Sequence, residues 1–507
     1  MRIIPRGFAV NVPPTLALLR LYDAANMRPR LTTAFLLGVT LLAAMTGATS
    51  AGGNPQYRTL NDRFMPRAYA SLAEWQPRAA YLREHILASA GLLPMPEKTP
   101  LRAQVFDERA HGDYSVRKVH FESLPGFYVT GNLYRPAGAG PFPAILSPHG
   151  HWTYGRLENT ALASVPGRAI NLARQGFVVF SYDMIGYNDS RQLTHTFGGR
   201  RESLWGLSLA GLQLWNSIRS VDFLQSLPDV DGTRIGCTGA SGGGTQTFLL
   251  AAVDDRVKVA APVNMISLHM QGGCLCENEP GLRLDMDNVE LAATIAPRPL
   301  LMVSATGDWT NETLELEYPA MRRFYALFGA ENRLHALQID APHNYNRDSR
   351  EAVYAWMARW LKNAPADTKV PERSFQPDPA PDVLVFYGRP LPEGALTAAQ
   401  LTDRWIASAR RQAQESDARV RQSALLHALA LEPRAGAKPT INDRRPAATR
   451  NNRPATRTVV FASENSDLRS ALVRAGFSVQ PVELTPYDAE AAAKIVHFDT
   501  YNRTESN

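Results

Sequence analysis

The sequence predicts an α/β fold: a mostly parallel β-sheet with helices on both faces. Three observations predict it. Between residues 144 and 339, short and almost wholly apolar runs alternate with stretches of helical periodicity. Strands that lack a polar face are buried on both sides, which is the condition of a parallel sheet. Ahead of them, residues 116–134 alternate in the two-residue rhythm of antiparallel strands around Leu124-Pro125-Gly126, a hairpin signature. At 507 residues the chain is also longer than one ordinary domain of about 100–200 residues, so further units are expected beside the sheet.

The chain opens on an address. Arg28-Pro29-Arg30 after Met27, an apolar run from Leu31 to Met45 and the small residues Gly47-Ala48-Thr49-Ser50-Ala51 have the three regions of a secretory signal. Residues 1–51 are therefore expected to be leader and signal peptide, with Met27 the true start. The mature protein is expected to be secreted or periplasmic, with no stable membrane insertion after cleavage. Residues 54–95 read as a helical lead-in: Leu72, Trp75, Ala79, Leu82 and Ile86 recur at helical spacing and Pro94-Met95-Pro96 closes the segment. After the antiparallel opening, strands are expected at 144–146, 177–180, 234–237, 257–261, 300–303 and 336–339. Helices are expected at 207–226, 243–253, 315–328 and 348–362. These elements make residues 54–365 one domain.

Residues 366–457 read as a Pro- and Arg-rich linker. It holds a strand-like run at 383–386 and a helix at 397–413, with Leu401, Trp405 and Ala409 on one face. Within it, 434–457 carries seven Lys/Arg against one Asp, the pattern of a solvated basic run. Thr458-Val459-Val460-Phe461, a helix at 466–475 and Phe477-Ser478-Val479 begin a fresh β-α-β over 458–507, an incomplete second α/β domain.

Charge excludes one class of partner. The 54 Lys/Arg against 48 Asp/Glu give +6, but residues 1–51 hold five Arg and one Asp, leaving +2 for the remainder. A domain-wide cationic face for nucleic acid is not present. An apolar fraction of 45% with 20% charged residues excludes a wholly disordered chain.

The chemistry is carried by one junction. A strand ending at Thr238 and a helix beginning at Thr245 enclose Gly239-Ala240-Ser241-Gly242-Gly243-Gly244, a G-x-S-x-G in the strand-turn-helix setting that motif requires. The glycines permit a turn too tight for side chains, which leaves the Ser241 hydroxyl at its apex. No Lys-Ser/Thr pair follows, so a Walker-type phosphate loop is excluded. A serine hydroxyl needs a base and an orienting acid, expected in the order Ser, acid, His after later strands. Asp308 follows the 300–303 strand and His343 follows 336–339. Glu277, in the loop after 257–261, is the alternative acid. The amides of Gly242 and His151 are the candidate oxyanion donors, with Trp152 the alternative to His151. Trp152, Trp309 and Glu277 are the candidate substrate contacts.

No cofactor and no metal is expected. His149 and His151 have no third ligand beside them in sequence, and Cys274-Leu275-Cys276 falls short of the four ligands of a structural zinc site. Cys237 is expected to be a buried thiol, with Cys274 and Cys276 a loop feature that shapes the cleft. One bridge from Cys237 to either member of the pair is the alternative.

At these residues a resemblance emerges. The helical lead-in, Ser147-Pro148-His149-Gly150-His151-Trp152, Tyr182-Asp183-Met184-Ile185-Gly186-Tyr187-Asn188-Asp189-Ser190, Gly236-Cys237-Thr238-Gly239-Ala240-Ser241-Gly242-Gly243, Gly272-Gly273-Cys274-Leu275-Cys276-Glu277-Asn278 and Ala296-Pro297-Arg298-Pro299 carry it. Residues 54–365 resemble exported bacterial α/β-hydrolases of the acetylxylan esterase and dienelactone-hydrolase-like group. The resemblance implies a Ser-His-Asp acyl-enzyme mechanism and an acylated polysaccharide or oligosaccharide substrate. Glucuronoyl esterases are structural cousins that carry Arg after the nucleophile, where this chain has Gly242; that departure argues against a glucuronoyl ester. The alternatives on the same scaffold are a serine peptidase-like hydrolase and a non-catalytic carbohydrate-binding relative, on which Trp152, Trp205 and Trp309 would be stacking surfaces.

Overall fold

The structure, a computed structural model, describes residues 60–284, 286–428, 430, 458–461 and 478–481. Nine strands make one sheet: β1 (Gln104–Ala110), β2 (Tyr114–Leu124), β3 (Phe127–Pro136), β4 (Phe142–Leu146), β5 (Val178–Tyr182), β6 (Val230–Ala240), β7 (Val257–Val263), β8 (Leu300–Gly307) and β9 (Leu334–Pro342). Their spatial order is β1-β2-β3-β5-β4-β6-β7-β8-β9. β1, β2 and β3 run antiparallel, as does β3 against β5, and every pair from β5 to β9 is parallel. This is the α/β-hydrolase architecture, the expected fold class.

The apolar strands are buried on both faces because helices cover both. On one side pack α1 (Leu72–Ser89), α3 (Leu209–Ser226), α4 (Gly242–Val253) and α5 (Glu317–Ala326); on the other pack α2 (Val165–Arg174) and α6 (Arg347–Lys362). Successive residues of a strand serve opposite layers: Val178 and Phe180 belong to the first cluster and Val179 to the second. The helices start where a short polar side chain satisfies a first-turn amide. Ser164, Ser208 and Asn346 each accept from the backbone three residues on.

Two expectations are corrected, and one strand had not been expected. The lead-in is helical only over Leu72–Ser89. The Phe64 amide donates to Leu268 at 2.6 Å and the Gln271 amide to Leu60 at 2.9 Å, so the segment before the helix lies extended along 268–271. Strand β1 had no sequence signal, because it is an edge strand with no fully buried position. The strand expected at 383–386 is a helical turn, Ala380–Val383, followed by Val385 and Phe386, whose amides bond a carboxylate instead of a neighbouring strand.

Residues 366–386, with the composition of a linker, lie along the hydrolase domain: Glu372 pairs with Arg350 at 2.6 Å and Asp378 with Arg109 at 2.8 Å. The expected helix follows as α7 (Ala398–Glu415), then α8 (Ala418–Ala428). β10 (Thr458–Phe461) and β11 (Ser478–Pro481) pair in parallel. The leader over 1–51, the basic run 434–457 and the helix at 466–475 lie outside the described residues. Among the described residues no helix is long and apolar enough to cross a membrane.

Candidate active site

β6 ends at Ala240 and α4 begins at Gly242, leaving Ser241 alone at the turn with φ +57° and ψ −125°. A side chain rarely adopts this left-handed region, and the surrounding structure has to impose it. Here the turn is pinned at both ends. The Ser241 amide donates to the Val263 carbonyl of β7 at 3.0 Å, and its carbonyl accepts from Thr245 at 2.9 Å. The turn also packs under residues 148–149. A Cβ at Gly243 would lie 2.7 Å from the Pro148 oxygen and 2.8 Å from that of His149, so a side chain there would push the two loops apart.

His343 follows β9, and its Nδ1 lies 2.7 Å from Asp308 Oδ2. Asp308 follows β8 with its side chain only 2% exposed, and its other oxygen accepts from the Thr310 amide at 2.7 Å and hydroxyl at 2.5 Å. One carboxylate oxygen is thus held by its own turn while the second faces the imidazole. Two indoles flank that ring, Trp309 at 4.5 Å and Trp152 at 5.7 Å between centroids. A Cβ at Gly150 would lie 3.1 Å from Ser241 Cβ and 3.3 Å from Trp152 Nε1. Ser241 and His343 therefore gather around one aromatic residue, Trp152.

Glu277 does not join them. Its side chain is buried, 4% exposed. One oxygen accepts from the amides of Gly273 at 2.7 Å and Cys274 at 3.1 Å, and the other lies 3.9 Å from His151 Nδ1. Trp205 is elsewhere too, under Arg410 and beside Trp405, whose indole donates to the Trp205 carbonyl. That region borders a cavity of about 650 Å³ between α1, α7 and α8, with no residue of the Ser241–His343 group in its lining.

His151 lies against the turn: a Cβ at Gly242 would come 2.7 Å from its Cε1. Its ring meets side chains from two other loops. His151 Nε2 lies 3.2 Å from His195 Nε2 and 3.0 Å from Cys276 Sγ, and Cys274 Sγ lies 3.4 Å from His195 Nε2. Hydrogen bonding from Cys276 first, then from His151 and His195, holds the Cys274 thiol far below its ordinary range, while burial pushes Cys276 up. The expectation of no metal rested on the absence of further ligands beside His151 in sequence; the fold supplies three. His195 sits in a loop with no motif of its own; the one signal available was that His151, His195 and both cysteines all follow parallel strands, whose C-terminal ends converge. All three cysteines are free. Cys237 is buried as expected, its thiol facing Thr247 Oγ1 at 3.6 Å, and burial pushes it up to about 12.

A buried ionic knot supports these loops from beneath. Arg156 reaches Asp183 and Asp189 at 2.7 Å each, with all three side chains nearly inaccessible. It ties the loop after β4 to the loop after β5, and sequence reasoning assigned it no role.

Residues 126–300 match the X-Pro dipeptidyl-peptidase family, S15. A Bacillus subtilis protein named as a hydrolase, YtaP, is 26% identical over 263 residues, which is 47% of this chain and 84% of that one. The acetyl esterase Axe7A of Xylanibacter ruminicola is 27% identical over 169 residues, 30% of this chain and 36% of its own. Among solved structures, methylesterase BT1017 is 30% identical with a TM-score of 0.57, covering 69% of this chain and 78% of that one. With that identity over that share of a solved esterase, and with the sheet and serine turn described above, the chain belongs to the α/β-hydrolases that act as carboxylic ester hydrolases.

Proposed function

We propose that the protein hydrolyses esters of carbohydrates through an acyl-enzyme, with Ser241 as nucleophile, His343 as base and Asp308 as orienting acid. The observation that carries this reading is the 2.7 Å bond from His343 Nδ1 to Asp308, with a serine held at φ +57° near the same Trp152 that packs on His343. A carboxylate on Nδ1 fixes the tautomer that leaves Nε2 free to take the serine proton. His343 withdraws that proton as Ser241 attacks the ester carbonyl, then returns it to the departing alcohol. Water, activated in the same way, releases the acyl group. The amide of Gly242, at the N-terminus of α4, and that of His151 are the proposed donors to the oxyanion, where the helix end favours negative charge. Trp152 and Trp309, flanking His343, offer apolar faces to a sugar ring.

The peptidase match supports the scaffold more than the chemistry, since it ends at residue 300, before Asp308 and His343. A second ester class has one observation in its favour: the similar solved structure is named as a methylesterase. The test is a substrate panel of acetylated oligosaccharides, methyl-esterified uronosyl oligosaccharides and X-Pro anilides, run on the protein and on Ser241→Ala. Hydrolysis of a carbohydrate ester that disappears in the variant is expected. Substantial activity without the Ser241 hydroxyl, or turnover of the anilides alone, would overturn the proposal.

A further inference from the structure

We propose that His151, His195, Cys274 and Cys276 form a zinc site that staples three loops around the serine turn. The four side chains come from separate stretches of sequence. His151 follows β4, His195 follows β5, and the cysteines follow β7. In the sheet order β5-β4-β6-β7, these strands lie on both sides of β6, which carries Ser241 at its end. Their ligating atoms all lie within 4.8 Å of one another. A tetrahedron with Zn–N of about 2.0–2.1 Å and Zn–S of about 2.3 Å has edges of roughly 3.3–3.8 Å. The observed edges of 3.2 Å between the histidine nitrogens, 3.0 Å from His151 to Cys276 and 3.4 Å from His195 to Cys274 approach that figure.

The groups behind the ligands point the same way. His195 Nδ1 lies 2.6 Å from the Ile185 carbonyl, which can only accept, so the ring proton sits there. A neutral His195 then presents a lone pair at Nε2, toward the cluster. Glu277 stands 3.9 Å from His151 Nδ1, too far for a hydrogen bond, and adds a negative charge behind the imidazole that favours a cation on its far side. Two imidazoles with two thiols form the donor set that soft, tetrahedral zinc takes. On binding, both sulfurs ligate as thiolates, whatever proton they still carry passing to solvent, so that the two sulfur charges balance the ion. Four protein ligands complete the coordination, which makes the ion a structural staple with no position for substrate. The staple would fix the loop whose His151 ring rests on Gly242, and this inference stands whether or not the esterase reading holds.

The test reads metal and not turnover. The full chain, purified under reducing conditions and exposed to zinc, is freed of unbound ion and its zinc measured by elemental analysis. One zinc per chain is expected, falling at least tenfold in Cys274→Ser, Cys276→Ser and His195→Gln. Chelator-stripped protein loaded with cobalt should show thiolate-to-cobalt charge transfer with the strong d–d bands of tetrahedral coordination, and this measurement needs no variant to fold. Zinc at background in the unaltered protein would overturn the proposal. So would zinc retained when Cys274→Ser and Cys276→Ser are combined in one chain, or a Cys274–Cys276 disulfide in its place.

Discussion

Asp308 and Glu277 are both buried carboxylates beside histidines, and geometry separates their tasks. Asp308 puts one oxygen 2.7 Å from His343 Nδ1, while Glu277 spends one oxygen on the amides of residues 273 and 274 and turns the other toward His151. Replacing Asp308 by Asn puts an amide opposite Nδ1 and favours the wrong tautomer, a change worth on the order of 10,000-fold in kcat for such a dyad. Asp308→Asn is therefore expected to lower kcat by that order with KM little altered. Glu277→Gln should have a much smaller effect on kcat, and steady-state kinetics on one activated ester compare the two. A larger loss in Glu277→Gln would transfer the acid's role to that residue. The Ser241, Asp308 and His343 positions were legible because each follows a strand in a fixed order. The choice between the two acids was not, since both sit in loops after strands and only the folded chain shows which one meets His343. His195 was invisible for the same reason: its partners are 44 and about 80 residues away, and nothing around it repeats.

α1 carries a second kind of information, a histidine kept neutral by its surroundings. His85 is 1% exposed, donates from Nε2 to the Gly281 carbonyl at 3.1 Å, and lies against the rings of Tyr81 and, from α8, His427. The charged groups about it are already committed: Arg78 to Glu290 at 2.7 Å, and Glu84 to His427 at 3.3 Å. Burial lowers the His85 pKa from 6.5 to about 4, outweighing the Gly281 carbonyl, with His427 and Arg78 adding to the fall. Between those two values the unfolded chain binds a proton that the folded chain refuses, so stability rises with pH there. The contribution is complete above about pH 6.5 and is lost progressively toward pH 4, by up to about 1.4 kcal/mol per pH unit. His85→Gln keeps a donor for Gly281 but cannot be protonated. Urea unfolding at two pH values inside the window should show a shallower pH dependence in the variant. Equal slopes would mean that His85 titrates normally. The helix itself was legible from its apolar spacing. Its late start was not, because the backbone bonds that hold residues 60–64 extended go to 268–271, some two hundred residues away.

Across the whole molecule, the segment with the least regular composition closes the sheet's antiparallel end and the base of the site loops. The Pro-rich stretch reads as a linker because proline and short polar residues neither continue a helix nor donate to a ladder. Its binding partners are remote in sequence, so no local pattern announces them. The Val385 and Phe386 amides donate to Asp189 at 2.8 and 2.9 Å, and the Val383 carbonyl accepts from Asn132 at 2.8 Å and Arg156 at 3.2 Å. The stretch thus completes the Arg156–Asp183–Asp189 knot that ties together the loops after β4 and β5. Earlier in the same stretch Glu372 pairs with the buried Arg350 of α6 and accepts from Tyr354 at 2.8 Å. A chain ending after residue 365 would keep the whole nine-stranded sheet yet leave Asp189 without two of its donors and Arg350 without its acid. Stranding one member of a buried ion pair costs about 3–5 kcal/mol, a large fraction of the roughly 5–15 kcal/mol that holds a domain folded. The shortened chain is therefore expected to unfold at a much lower urea concentration than the full chain, and Glu372→Gln alone to shift the midpoint part of the way. The shortened chain should lose more than the single variant, since it gives up the Asp189 contacts and the packing of α7 and α8 as well as the Arg350 pair. A shortened chain with an unchanged midpoint would show that these residues are a tether after all, and that the sheet and the serine turn stand without them.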